Sequence, residues 1–128
     1  MKCLSLRQPY AELVVAGRKT IETRTWKTNF RGKFLIHASK AIDKENCDML
    51  NIDCSKLTRG MVVGLVFLCD VKRYATKQDF VADKDRHFSS SFSEPKYGFL
   101  LKDAKKLSKP ILVAGHLGFF EVNQWTMK

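Results

Sequence analysis

The chain has 128 residues, 45% hydrophobic and 28% charged, with 23 Lys and Arg against 13 Asp and Glu, a net charge of +10. That is one ordinary domain's length at near-average globular composition, which argues against disorder. The longest apolar run, Met61 to Cys69, is nine residues, against the roughly 20 a spanning helix needs, and Lys2, Arg7 and Gln8 interrupt any leader-like stretch.

In chain order, Lys2 to Leu6 alternates and predicts a short opening strand. Pro9 suits the first turn of a helix, where its missing N–H costs nothing. Tyr10, Leu13, Val14 and Gly17 then follow helical spacing, with Gly17 placed to stop that helix in the left-handed conformation. Thr20 to Trp26 is rich in β-branched residues and predicts a strand. Asn29 to Gly32 reads as a turn, Lys33 to His37 as a second strand, and Ile42 to Leu50 as a helix with Asn51 to Ser55 as its exit. Met61 to Tyr74 reads as a long strand and Lys77 to Ala82 as one helical turn. His87 to Pro95, with its run of serines, reads as a mobile polar loop. Tyr97 to Asp103 and Gly115 to Val122 are the last strands, with Pro110 between them and Gly118 marking a bulge. Six strands with short connections and two or three helices suit an α+β fold built on a mixed barrel rather than a parallel βαβ sheet. No G-x-G-x-x-G or P-loop pattern is present.

The positive charge is unevenly placed. Residues 1–40 hold nine basic and two acidic side chains, or +7; residues 41–88 hold eight of each; residues 89–128 hold six and three, or +3. Such a field favours polyanionic partners, of which nucleic acid is the usual one. No basic helix carries a Trp/Phe/Leu face, so no membrane partner is expected. Cys3, Cys47, Cys54 and Cys69 include no C-x-x-C pair. Without a secretory signal they read as reduced thiols, Cys3 and Cys69 as small core residues. His37, His87 and His116 lack partners at ligand spacing, so neither a metal nor a cofactor is expected. The location that fits is cytoplasmic.

Strand periodicity turns residues 20–26 into a candidate site. Thr20, Glu22, Arg24 and Trp26 share one face, and Lys19 enters just before them. Lys19 and Arg24 can hold a phosphate while Trp26 stacks a base. Glu22 either accepts from a base amino group or orients Arg24. The alternative is a surface ion pair on a strand, worth under about 1 kcal/mol, beside a packing tryptophan.

The stretch Cys3 to Lys40, with Gly17, Lys19, Glu22 and Arg24 in the order G-x-K-x-x-E-x-R, resembles the ASCH domain family, a relative of the PUA domains. Its L-R-Q-P-Y and R-G-K-F-L-I-H-A-S-K segments are similar to the variant found in a transcription-coactivator ASCH domain. The resemblance implies one PUA-like β-barrel domain over residues 1–128, with a cleft between barrel and first helix, and RNA binding as its general role. It also implies an enzymatic alternative, because the family includes an N4-acetylcytidine amidohydrolase and a reported ribonuclease. For the amidohydrolase branch the catalytic lysine carries over onto Lys19, but the threonine nucleophile falls where this chain has Glu22. A carboxylate cannot take over hydroxyl chemistry unchanged. Asp70, Asp79, Asp83 and Asp85 are the acidic residues available where that branch has its glutamate.

Two readings follow. A binding module needs a basic groove, an aromatic platform and fixed polar groups. Arg7, Gln8, Lys19, Glu22, Arg24, Trp26, Lys27, Arg31 and Lys40 are the candidates, with RNA, DNA or a modified nucleoside as partner. His37 reads as a satisfied core histidine, and Arg31 as a residue that can equally serve its own turn. A hydrolase needs Lys19 and Glu22 as cation and base, or a hydroxyl activated by Lys19. Thr20 is the better placed hydroxyl, since Thr23 faces the other side. The oligomeric state is not legible.

Overall fold

The computed structural model describes residues 1–123. Six strands form one mixed sheet: β1 (Lys2–Gln8), β2 (Ile21–Arg24), β3 (Gly32–Ile42), β4 (Met61–Arg73), β5 (Tyr97–Leu112) and β6 (Phe119–Glu121). Four short helices accompany them: α1 (Tyr10–Val15), α2 (Lys44–Met49), α3 (Lys77–Ala82) and α4 (Lys84–His87), with a 3-10 turn at Cys54–Lys56. The expected α+β class holds, with one or two more helices than predicted.

The strand order is β2-β5-β4-β3-β1-β6. β1 runs parallel to β3, and every other pair is antiparallel. Successive residues of β1 and β3 serve two apolar clusters. Leu4, Leu6, Phe34, Ile36 and Ala38 join the larger one beneath α1, while Cys3 and Leu35 join a smaller one with Val62 and Val122. These central strands are therefore apolar on both faces, which is why they read as nearly continuous hydrophobic runs.

The expected barrel is not closed. No hydrogen-bonded ladder joins β2 to β6 or to β1 among the described residues. The β4–β5 pairing slips register at Val62/Gly64, Leu65/Phe67 and Leu68/Asp70, and such irregularities add bend and twist. The sheet curls until side chains span the seam. Arg24 Nη2 on β2 donates to the Ser5 carbonyl on β1 at 2.9 Å. Just past β2, the Trp26 ring meets Phe119 of β6 edge-on, with centroids 5.8 Å apart.

Local chemistry accounts for α1. Gly17 has φ +79°, and Arg18 N–H donates to the Leu13 carbonyl while Gly17 N–H donates to Val14, the bond pattern of a Schellman stop. On the sheet side, a Cβ at Gly64 would lie 2.5 Å from the Lys105 carbonyl and would also strike Val15. α1 therefore rests directly on the backbone of β4.

Several expectations need correction. Cys47 and Cys54 form a disulfide with Cα atoms 6.1 Å apart, because the α2 exit folds back on its helix. Cys3 is buried as expected, but Cys69 is exposed, in the stretch of β4 from Cys69 to Arg73 in which no residue is fully buried. Gly118, at φ +63°, lies in the bend before β6 rather than in a bulge within it. His37 is a buried core histidine. Its Nε2 faces the Val113 carbonyl at 2.7 Å and so carries the proton, leaving Nδ1 to accept from the Ser5 hydroxyl at 2.6 Å. No helix among the described residues is long and apolar enough to cross a membrane.

Candidate functional site

The open seam forms a cavity of about 430 Å³ between β1 and the segment from Lys19 to Trp26. Ser5, Leu6 and Arg7 line one wall, and Glu22, Thr23, Arg24, Thr25 and Trp26 the other. Ser89, Ser91 and Lys96 line it from the loop before β5, and Tyr10 is the α1 residue in the lining. The cleft is thus mainly strand against strand rather than helix against barrel.

Lys19 reaches this site because α1 stops where it does. Its backbone N–H still donates to Leu13 at 2.9 Å, and its side chain turns inward, leaving 2% of the residue exposed. The ammonium donates to the Ile21 carbonyl at 2.8 Å and to the His87 carbonyl at 2.5 Å, and meets Glu22 Oε1 at 3.2 Å. An ammonium has three donors, and all three are used. Lys19 therefore joins the turn after α1 to the end of α4, helped by a Thr20 N–H to Arg86 carbonyl bond at 3.0 Å. Burial holds its pKa below the ordinary lysine value, although the Glu22 carboxylate opposes this.

Glu22 is engaged at both oxygens. Oε1 faces Lys19, and Oε2 accepts from Arg24 Nε at 2.8 Å. Burial pushes the Glu22 carboxyl up, but the two cations outweigh it, and the pKa lies below the usual carboxylate value. Arg24 spends one donor on Glu22 and one on Ser5, leaving three of its five N–H groups for a ligand. Its guanidinium lies 5.9 Å from the Trp26 ring. Trp26 is half-buried, also edge-on to Phe99 at 5.3 Å, so it belongs to core and cavity together.

The remaining predicted residues divide. Arg7 is exposed in the lining and lies 3.8 Å from Asp43. Gln8 is buried outside the lining. Its Nε2 donates to the Thr58 carbonyl at 2.7 Å, and its Oε1 accepts from Glu12 N–H at 3.0 Å, bracing the start of α1. Lys27 is exposed, and the structure does not bring it into the lining. Arg31 is held by its own turn through the Thr28 and Phe30 carbonyls. Lys40 lies beside a different cavity, with His37 and Ser39. Thr20 is exposed outside the lining, whereas Thr23 contributes to it. None of Asp70, Asp79, Asp83 and Asp85 lines the cavity. Asp83 instead accepts from Tyr74 at 2.7 Å and pairs with Lys72.

Sequence reasoning did not find Lys96, Tyr10, Ser5, Ser89 or Ser91. The serine run was visible, but its position was not. Ser89 N–H donates to His87 Nδ1 at 3.0 Å, while His87 Nε2 donates to the Phe80 carbonyl at 2.7 Å. The buried imidazole thereby anchors the loop that lines the cavity.

The ASCH domain family model matches residues 4–110. The chain belongs to the ASCH domain family. Activating signal cointegrator 1 of Mus musculus is 49% identical over 37 residues, a stretch that covers 29% of this chain and 6% of that protein. The crystal structure of ASCH from Zymomonas mobilis superposes with a TM-score of 0.72 at 16% identity, covering 98% of this chain and 90% of that one. Two mutants of the same protein give TM-scores of 0.71, covering 98% of this chain and 90% or 92% of theirs. At that identity the likeness is one of fold. In this ASCH domain the lining sets four cations, Arg7, Lys19, Arg24 and Lys96, against one carboxylate, Glu22.

Proposed function

We propose that this ASCH domain binds RNA through the seam cavity, with cationic side chains against phosphate and Trp26 against a base. The carrying observation is that Arg24, with three uncommitted N–H donors, lies beside a half-buried Trp26 in a cationic cleft. Stacking on an aromatic platform within a basic groove is the usual way proteins hold single-stranded nucleic acid.

The geometry favours binding over hydrolysis at Glu22. A general base needs a pKa near the working pH. Here both carboxylate oxygens are engaged, and two cations hold the pKa down. Lys19 has no donor to spare, and no second carboxylate among the described residues lines the cavity. A cytoplasmic location goes with this RNA reading rather than with the cysteines, two of which are joined.

The test is titration of fluorescent single-stranded RNA across a salt series. Affinity should fall steeply with salt, and Arg7→Ala should lower the slope of log affinity against log salt by about one. Affinity indifferent to salt would end the reading.

A further inference from the structure

Two lysines among the described residues are buried, and they differ in one respect. Lys19 has its three donors satisfied. Lys96 is 8% exposed, yet its ammonium makes no hydrogen bond or ion pair with any described residue. Its recorded neighbour is the face of Phe80, with the ring centroid 5.9 Å from Nζ. Its backbone is fixed, since the Lys96 carbonyl accepts from Tyr74 N–H at 2.9 Å. The ammonium itself is not sealed from solvent, because Ser39 Oγ is the one buried side-chain polar atom among the described residues that lacks a partner; Lys96 keeps its stem buried and its charged end within reach of water. What sets Lys96 apart from an ordinary packing residue is that it lines the seam cavity, together with Arg24 and the serines 89 and 91.

We propose that Lys96 and Arg24 form a phosphate subsite of the cleft, which takes the phosphate of a single nucleotide unit whose base lies against Trp26. The proposal rests on the RNA reading for its ligand class, and on the unpaired, solvent-reachable ammonium in the cavity lining for its position. Lys96 supplies a point charge and Arg24 a planar donor set, which together suit a phosphate. The volume of about 430 Å³ falls in the range of small-ligand sites and suits one nucleotide rather than a duplex. Lys19 and Glu22 are then positioning residues: they hold Arg24 and the end of α4 without touching the phosphate.

The experiment compares wild type with Lys96→Met, using adenosine, adenosine 5′-monophosphate, inorganic phosphate and a short single-stranded RNA as probes. Wild type should bind the monophosphate about tenfold or more tighter than adenosine, the scale of a charge-assisted hydrogen bond. Lys96→Met should close that gap to about twofold while leaving adenosine affinity unchanged. Its melting temperature should be little changed, since methionine replaces a stem of similar length and Lys96 makes no hydrogen bond or ion pair with a described residue that would be lost. RNA binding that persists with an unaltered monophosphate gap in Lys96→Met would overturn the subsite and leave the RNA reading standing. If wild type binds neither RNA nor nucleotide, the RNA reading fails, and inorganic phosphate decides the subsite alone. A saturable shift of the Lys96 side-chain NMR signal on adding phosphate supports it, and an unmoved signal overturns it.

Discussion

Replacing Glu22 by Gln asks whether Lys19, Glu22 and Arg24 act as one electrostatic unit. The Lys19 and Glu22 side chains are 2% and 10% exposed, and the carboxylate bridges two cations at 3.2 and 2.8 Å. The amide keeps the shape and one acceptor, but it removes the counterion of a buried ammonium and turns an NH₂ toward one of the cations. Breaking a buried pair from one side costs about 3–5 kcal/mol. Lys19 keeps its bonds to the Ile21 and His87 carbonyls, which still hold its ammonium. The expected cost is therefore at the lower end, about 3 kcal/mol, or roughly 10 °C in Tm for a domain of this size. Lys19→Met leaves Glu22 its bond to Arg24 and should cost less. The double variant should be less destabilised than the sum of the two singles by about 1–3 kcal/mol. Urea unfolding of all four proteins at neutral pH, with m-values compared, measures the cycle. Additivity within about 0.5 kcal/mol would refute the coupling and leave an ordinary strand-face ion pair.

Trp26→Ala should weaken RNA binding by about 1–3 kcal/mol and the fold by about 3 kcal/mol, the low end for a half-buried tryptophan; unchanged affinity in a folded variant takes Trp26 out of the interface. Burial holds the pKa of both His37 and His87 below 6.5. The unfolded chain therefore binds protons that the native state does not, and stability should fall as pH drops below about 6.5; a flat urea midpoint between pH 7.5 and 5 would contradict neutral buried imidazoles. Gly64→Ala should cost at least about 1–3 kcal/mol by overpacking between Val15 and the Lys105 carbonyl. Gly17→Ala meets open space and should cost only the left-handed backbone's penalty, about 1–2 kcal/mol, as equilibrium unfolding would show.

What was legible from sequence was local. The stop of α1 at Gly17, the strand at β2 and the turn of helix at α3 each depend on residues within a few positions of one another. The sequence predicts a strand from Tyr97 to Asp103 with Pro110 beyond it, yet the strand runs to Leu112. Beyond Leu100 it pairs with β4 and no longer with β2, and a proline is tolerated where one side of a strand has no ladder. α4 is four residues, too short to show a period. The disulfide depends on a chain reversal after α2, and Lys96 on the absence of a partner in three dimensions. Neither leaves a mark in spacing. Lys19 shows the converse: its type and position singled it out, but only its three acceptors reveal that it braces the site.

The unclosed seam gives these features a common cause. A closed ladder between β2 and β1 would satisfy the backbone and leave no room for a ligand. Here side chains span the gap, so Arg24 serves the fold through Ser5 and Glu22 and retains donors for a phosphate. Trp26 likewise packs on Phe99 and Phe119 while lining the cavity. A ligand entering the seam adds contacts between the same two walls that Arg24 already joins. Because such a ligand binds only the folded chain, saturating it must raise the unfolding free energy, by about 2.7 kcal/mol at a hundredfold excess over Kd. On the proposed reading, stability and recognition are coupled, because the same few side chains serve the fold and line the proposed site.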